Sequence, residues 1–302
     1  MTYDHGAPSR AAETGPGTGI GTNIATDTPT DDHAPLTGSS RVAERLPVTT
    51  LHAVPALARA EARLLLRHPL NLLGLALLTL VLLTQPWQWP QDSFRVITAQ
   101  MVMEWGVLIF FAANLIGTAA RRAGTRELLS TAPLDRTHRT AAACLAALVP
   151  FVLACLFQAV LLGLCLAFRV DLGHTPTVWE MAAGPLCVLG AALLGTATAR
   201  WAPWPGVPFA VMVVLVAFNY VVYSTSERFL GFFVEFVLWT SPMSTFEKAP
   251  GSAFWHVLYL LALSLGAGAL AMLRDSTRRG PWLGVCAALV LAAVFSGVWQ
   301  LP

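Results

Sequence analysis

Few side chains in this chain can do chemistry, because only 12% of its residues are charged and 55% are hydrophobic. Two carboxylates, Glu104 and Glu180, nevertheless stand in or beside long apolar runs. A carboxyl group inside a bilayer is costly, so each must be paired, protonated or turned to a cavity. Contact with a substrate is one such role. An interfacial or helix-pairing carboxylate is the other, and it is the default for both. At 1.5 Å per residue, Glu104 lies about 9 Å along its helix from Thr98. The uncharged polar residues Asn114, Gln158, Asn219, Tyr220 and Tyr223 also fall within apolar runs. They suit either a pathway lining or hydrogen bonds between helices, with helix pairing again the default.

Other chemistries lack their residues. A metalloprotease needs H-E-x-x-H or an equivalent cluster, and a serine hydrolase needs a base within reach of its nucleophile. Neither pattern is present, and no histidine falls deep in an apolar run: His68 and His138 read as lying at one surface, His174 and His256 at or near the other. The five cysteines all fall in apolar runs without a C-x-x-C pair, so they read as packing residues rather than disulfides or zinc ligands. A phosphate-binding loop requires G-x-x-x-x-G-K-[ST], and the only lysine, Lys248, follows Glu247. The chain therefore reads as carrying no cofactor and no ATPase of its own. Its net charge of +2 is too small to argue for a nucleic-acid partner.

The elements that must hold these residues are membrane helices. A mean hydropathy of +0.61 together with the low charge indicates an all-α polytopic membrane protein of about six or seven spans. Seven runs approach the roughly 20 residues needed to cross about 30 Å of hydrocarbon. They lie at about 70–88, 98–119, 140–167, 179–199, 207–224, 254–273 and 281–299. The first is the weakest, cut at Thr84 by "QPWQWPQ", whose Trp87 and Trp89 suit an interface belt. Residues 1–49 have no Phe, Trp or apolar period, and read as a disordered cytoplasmic tail rather than a secretory signal. The stretch 50–69 reads as an amphipathic interfacial helix. Arg59, Arg63 and Arg67 share one of its faces, and Leu57, Leu64 and Leu65 lie roughly opposite with Glu61 among them. Pro69 starts the next segment. Residues 228–245, within "RFLGFFVEFVLW" and its flanks, read as a re-entrant or surface hairpin. The small-residue strings at 190–199 and 266–271 permit close helix approach, for bundle packing or for dimerisation.

Charge orients the spans. With the N-terminus inside, fifteen of the nineteen Lys and Arg residues fall on inside segments, and only Arg95, Arg169, Arg228 and Lys248 fall outside. The segment "RRAGTRELLSTAPLDRTHRT" (121–140) is then cytoplasmic, with five arginines and a histidine. Thr125 can cap a short helix with Glu127 in its first turn, Pro133 stops it, and Asp135 caps the helix that follows. Leu128 and Leu129 are left among charges, which calls for a protein partner or the membrane interface. Anchoring of the loop to anionic lipid is the simpler reading, and spacing alone weighs the two about equally.

The arginine-rich helix ending "RLLLRHP", with a second span that runs into "RELLSTAPLDRTHRTAAACLAALVP", resembles the permease subunit of ABC transporters of the type-2 exporter class. The likeness covers about residues 51–273. It implies that 50–69 is the connecting helix, with Arg59, Arg63 and Arg67 on it, and that the 121–139 loop is a coupling helix. It further implies that Arg126, Glu127, Leu128, Leu129, Asp135 and Arg136 contact a separate ATPase subunit, which binds the ATP and magnesium. Two ATPase copies and a second or related permease would complete the assembly in a bacterial cytoplasmic membrane. Two other classes of function compete: a membrane anchor that recruits a soluble partner through the same loop, and an intramembrane enzyme of carboxylate chemistry. The seventh span departs from the six usual in that family and puts the C-terminus outside.

Overall fold

A computed structural model describes residues 47–84, 97–98, 100–124, 135–170, 172, 175–224 and 252–299, with the backbone alone at 47–52 and 218–224. All regular structure among them is helical. Helix α1 (Pro47–Arg67) is followed by α2 (Pro69–Thr84), a π-helical segment (Met101–Gly106) that continues into α3 (Val107–Arg122), α4 (Arg136–Ala146), α5 (Leu148–Ala167), α6 (Val178–Trp201), α7 (Val207–Ser224), α8 (Ala253–Asp275) and α9 (Arg279–Trp299). The tail up to residue 46 and the expected hairpin at 228–245 lie outside the described residues, as do Trp87, Trp89 and Lys248.

Five stretches are long and apolar enough to cross a membrane: Met101–Arg122, Arg136–Ala167, Val178–Trp201, Ala253–Asp275 and Arg279–Trp299. The chain is a multi-pass membrane protein. Helix α2, expected to span 70–88, has 16 residues and qualifies only jointly with α1, to which it is bent by 51°. The described side chains of α7 end at Ala217, so that helix counts as a shorter apolar one. The expected run 140–167 is two helices. Asp135 caps α4 through an Oδ1 that accepts from the Arg136 backbone N–H at 2.6 Å. The break falls at Ala147, where Pro150 removes an N–H and crowds the carbonyl of Ala146 four residues back.

Helix α6 is the centre. It is apolar on every side, and 78% of its most apolar window is buried, against 17% for α9 at the edge. Around it stand α3, α5 and α8, with α9 packed outside α8. Glycines fix the seam. A Cβ on Gly195 would stand 2.3 Å from the Phe110 carbonyl oxygen, and one on Gly117 would stand 2.8 Å from the Ala199 Cβ. A Cβ on Gly268 of α8 would touch Leu193 at 3.5 Å. Both small-residue strings therefore serve packing within this chain.

Candidate functional site

The polar residues of the interior divide by whether the bundle satisfies them. Asn114 is buried and its Nδ2 donates to the Gly195 carbonyl at 3.3 Å, across the tightest part of the α3–α6 seam. It pairs helices. Glu180, read chiefly as an interfacial or helix-pairing carboxylate with substrate contact as the alternative, is the third residue of a capping box on α6. Its carboxylate accepts from the Thr177 N–H at 2.7 Å and the Thr177 hydroxyl at 2.9 Å, while the Glu180 N–H donates back at 3.3 Å. Gln158 is 1% exposed, and both atoms of its amide lack a hydrogen-bond partner among the described residues. It faces the position at which Gly184 of α6 leaves room, next to Met101 and Thr98. Glu104 is half-buried on the neighbouring π-helical segment, with no basic partner among the described residues. The described residues hold no group of three His, Cys, Asp or Glu placed to bind a metal. Asn219 lies in the stretch of α7 described by backbone alone, and His256 is buried in the bundle in the first turn of α8.

The joint between α1 and α2 is built from a residue that the sequence did not single out. Asn71 is 1% exposed, donates from Nδ2 to the Leu66 carbonyl at 3.0 Å, and accepts at Oδ1 from Trp105 Nε1 at 2.8 Å. One amide thus ties the end of α1 to the π-helical segment. Gly74 lets the Trp105 ring and backbone approach α2, since a Cβ there would meet both at 3.1 to 3.2 Å. His68 sits in the bend, where its Nδ1 accepts from the Leu70 N–H at 3.3 Å. Burial and then the nearby Arg122 charge hold its pKa below the usual histidine value.

At one end of the bundle, α3, α6 and α8 all terminate and α4 begins. Basic residues close each C-terminus: Arg121 and Arg122, Arg200, and Arg274. That is where cations offset the negative end of a helix dipole. Arg122 spends its guanidinium on the Leu115 carbonyl. Between these ends lies a cavity of about 460 Å³. Its charged wall carries Arg121, Arg136, Arg139, Arg200 and Arg274, facing Glu61 and Asp275. Small residues such as Ala113, Gly117, Ala143, Ala146 and Ala199 also line it, together with the larger apolar Leu65, Ile116 and Trp204.

Asp275 organises this end. Its Oδ2 accepts from the Thr140 hydroxyl at 2.5 Å and stands 3.5 Å from Arg200 Nε, while its backbone carbonyl accepts from the Thr137 hydroxyl at 3.0 Å. The arginine contact is electrostatic, since Nε is buried without a hydrogen-bond partner. Helix α4 is thereby fastened to the end of α8. Arg274 lies over the Trp201 ring at 5.6 Å, and Trp201 Nε1 donates to the Leu270 carbonyl at 2.8 Å. Glu61, which interrupts the apolar stripe of α1, is explained by this cavity. Desolvation raises its pKa, and the Arg200 charge partly opposes the rise.

Helix α1 packs chiefly on α4. Arg59, Arg63 and Arg67 point outward, and Ala62 and Leu65 are buried. Of the leucines expected roughly opposite those arginines, Leu65 is buried and Leu64 is 58% exposed, about 100° further round the helix. Of the expected coupling residues, Asp135 and Arg136 are described at the start of α4, whereas Arg126, Glu127, Leu128 and Leu129 lie outside the described residues. Compared with known protein families, curated proteins and solved structures, the chain matches none.

Proposed function

We propose that this chain is the membrane-spanning permease subunit of an ATP-driven exporter of the ABC class, embedded in a bacterial cytoplasmic membrane with its N-terminus and the arginine-rich end inside. One observation carries the reading: α1 lies against α4, the helix into which the 125–134 segment feeds. Helix α4 is in turn fastened to α8 through Asp275. A push on that segment therefore meets a helix already tied to the interfacial helix α1 and to the sixth of the expected spanning regions. Rigid helices carry such displacements where flexible loops dissipate them. Leu128 and Leu129 fill a groove on the ATPase, while Arg126, Glu127, Asp135 and Arg136 set its register. ATP and magnesium bind to two copies of that separate subunit, and a second or related permease completes the pathway.

The test is affinity purification in mild detergent from the native membrane, with ATPase assay and identification of the co-eluting chains. A subunit with a phosphate-binding loop is expected with the wild type, and Leu128→Asp/Leu129→Asp is expected to lose it. Recovery of the same ATPase with the variant would remove the loop from the interface. If no ATPase accompanies either form, the permease reading is abandoned in favour of a membrane anchor.

A further inference from the structure

Five arginines and two carboxylates line the cavity, and one of those carboxylates, Asp275, is already engaged by Arg200 and Thr140. Among the described residues, no acidic side chain pairs with Arg121, Arg136 or Arg139. The arginines at the ends of α3, α6 and α8 have a local reason to be there, since a helix C-terminus favours cations. Arg136 and Arg139 do not. They occupy the first turn of α4, where the dipole presents positive charge, and that turn has no acidic residue. Asp135 offsets this in part, but its Oδ1 is engaged by the Arg136 backbone N–H. Two arginines set against their own helix dipole, Arg136 exposed and Arg139 half-buried, line the same cavity as three more, so that positive charge outweighs negative among the described residues around it.

The shape narrows the anion. At about 460 Å³, the cavity falls in the range of roughly 300–1,000 Å³ typical of small-molecule sites. Its lining of arginines together with apolar side chains suits a ligand with an anionic head and an apolar remainder. Guanidinium groups match phosphate oxygens in geometry as well as charge. Basic pockets between membrane helices, at the level where the helices end, suit phosphorylated lipid headgroups.

We infer that the cavity between the ends of α3, α6 and α8 and the start of α4 binds a phosphate group, with Arg136 and Arg139 as its principal ligands and a lipid headgroup as its source. This does not rest on the permease reading, because binding is measured on the isolated chain with no ATPase present. The full chain in zwitterionic detergent is titrated with short-chain phosphatidylglycerol, with phosphatidylcholine of equal chain length, and with inorganic phosphate, each followed by native mass spectrometry and thermal stability. Arg136→Gln/Arg139→Gln is compared with Arg59→Gln/Arg63→Gln, which removes two arginines from the outward face of α1. The α4 variant is expected to weaken phosphatidylglycerol binding about tenfold or more, in keeping with about 1 kcal/mol per arginine near a membrane surface. The α1 variant and phosphatidylcholine binding should not change. If inorganic phosphate stabilises the wild type but not the α4 variant, and the two lipids are indistinguishable, the site stands with a soluble phosphate as its source. Equal loss in both variants would reduce the effect to general surface charge and overturn the inference, as would binding indifferent to the α4 substitutions. Should Arg136→Gln/Arg139→Gln not fold, Arg121→Gln/Arg274→Gln removes two charges from the same wall and is held to the same outcomes.

Discussion

The α3–α6 seam and the arginine-rich end belong to the same helices and solve opposite problems. In the seam, Gly195 brings the two backbones together, and Asn114 donates to the carbonyl of that same glycine. Close approach there leaves no room for a side chain, and polar groups are satisfied within the chain. Two turns further, past Gly117 and Ala199, the helices end around a cavity of about 460 Å³ with more positive than negative charge. The first region specifies one packing and nothing else. The second keeps space and charge that the chain does not use on itself. Membrane helices gain little hydrophobic drive from associating with one another, so packing geometry and interhelical hydrogen bonds must define the bundle. Functional residues are accordingly sought where both lapse.

The sharpest way to break this contrast is to widen the seam. Gly195→Val places a branched side chain where even a Cβ would stand 2.3 Å from a carbonyl oxygen. Overpacking of this kind costs about 3 kcal/mol or more when the obstacle is backbone. The variant should be recovered poorly or melt well below the wild type in a fluorescence-detected thermal assay, and an unchanged melting temperature would refute the tight seam. A smaller effect is expected at the other region. Thr140→Val withdraws the hydroxyl donor from the part-buried Asp275 carboxylate, which keeps Arg200 beside it, and loss of such a hydrogen bond costs about 1 kcal/mol. Loss of stability should be larger than for Thr137→Val, which frees only a backbone carbonyl, and equal losses would mean that the carboxylate is not the fastening point.

Gln158 refines the comparison, because it is an interior residue that behaves like one from the arginine-rich end: buried, polar and unsatisfied. Replacing it with leucine removes two orphaned groups at similar volume and should raise stability by about 1 kcal/mol. A stability gain accompanied by lost transport would assign Gln158 to the pathway. A loss of stability would show that the amide has a partner, and would return it to the packed interior.

Much of this architecture was legible because it depends on local properties. Span positions follow from runs of apolar residues, the break at Pro69 from its ring, and the start of α4 from the Asp135 cap. The break at Ala147 was hidden inside a uniformly apolar run, where hydropathy does not register the missing N–H of Pro150. Glu180 was expected chiefly at an interface, but its capping box with Thr177, three residues away, went unread because a carboxylate beside an apolar run draws attention to the membrane first. The Asn71 to Trp105 bond joins residues 34 apart and leaves no periodic trace. The cavity was less legible still. Its arginines come from separate helix ends, and charge bias led only to the expectation of a shared side of the membrane, with nothing to say that they line one cavity. The one available sign was Asp275, an acid closing a span beside Arg274 in segments otherwise rich in arginine.

The central place of α6 also bears on how the protein is made. The ribosome delivers α6 before α8, yet α8 covers one of its sides, with Ser264 donating to the Leu186 carbonyl at 3.2 Å and Gly268 against Leu193. During synthesis that side faces lipid until the chain beyond residue 253 has been inserted. The small residues Ser264 and Gly268 of α8 let that helix approach Leu186 and Leu193 of α6 once it arrives. A nascent chain stopped short of α8 carries an unfinished bundle, and its half-wrapped central helix is what a membrane quality-control protease would meet.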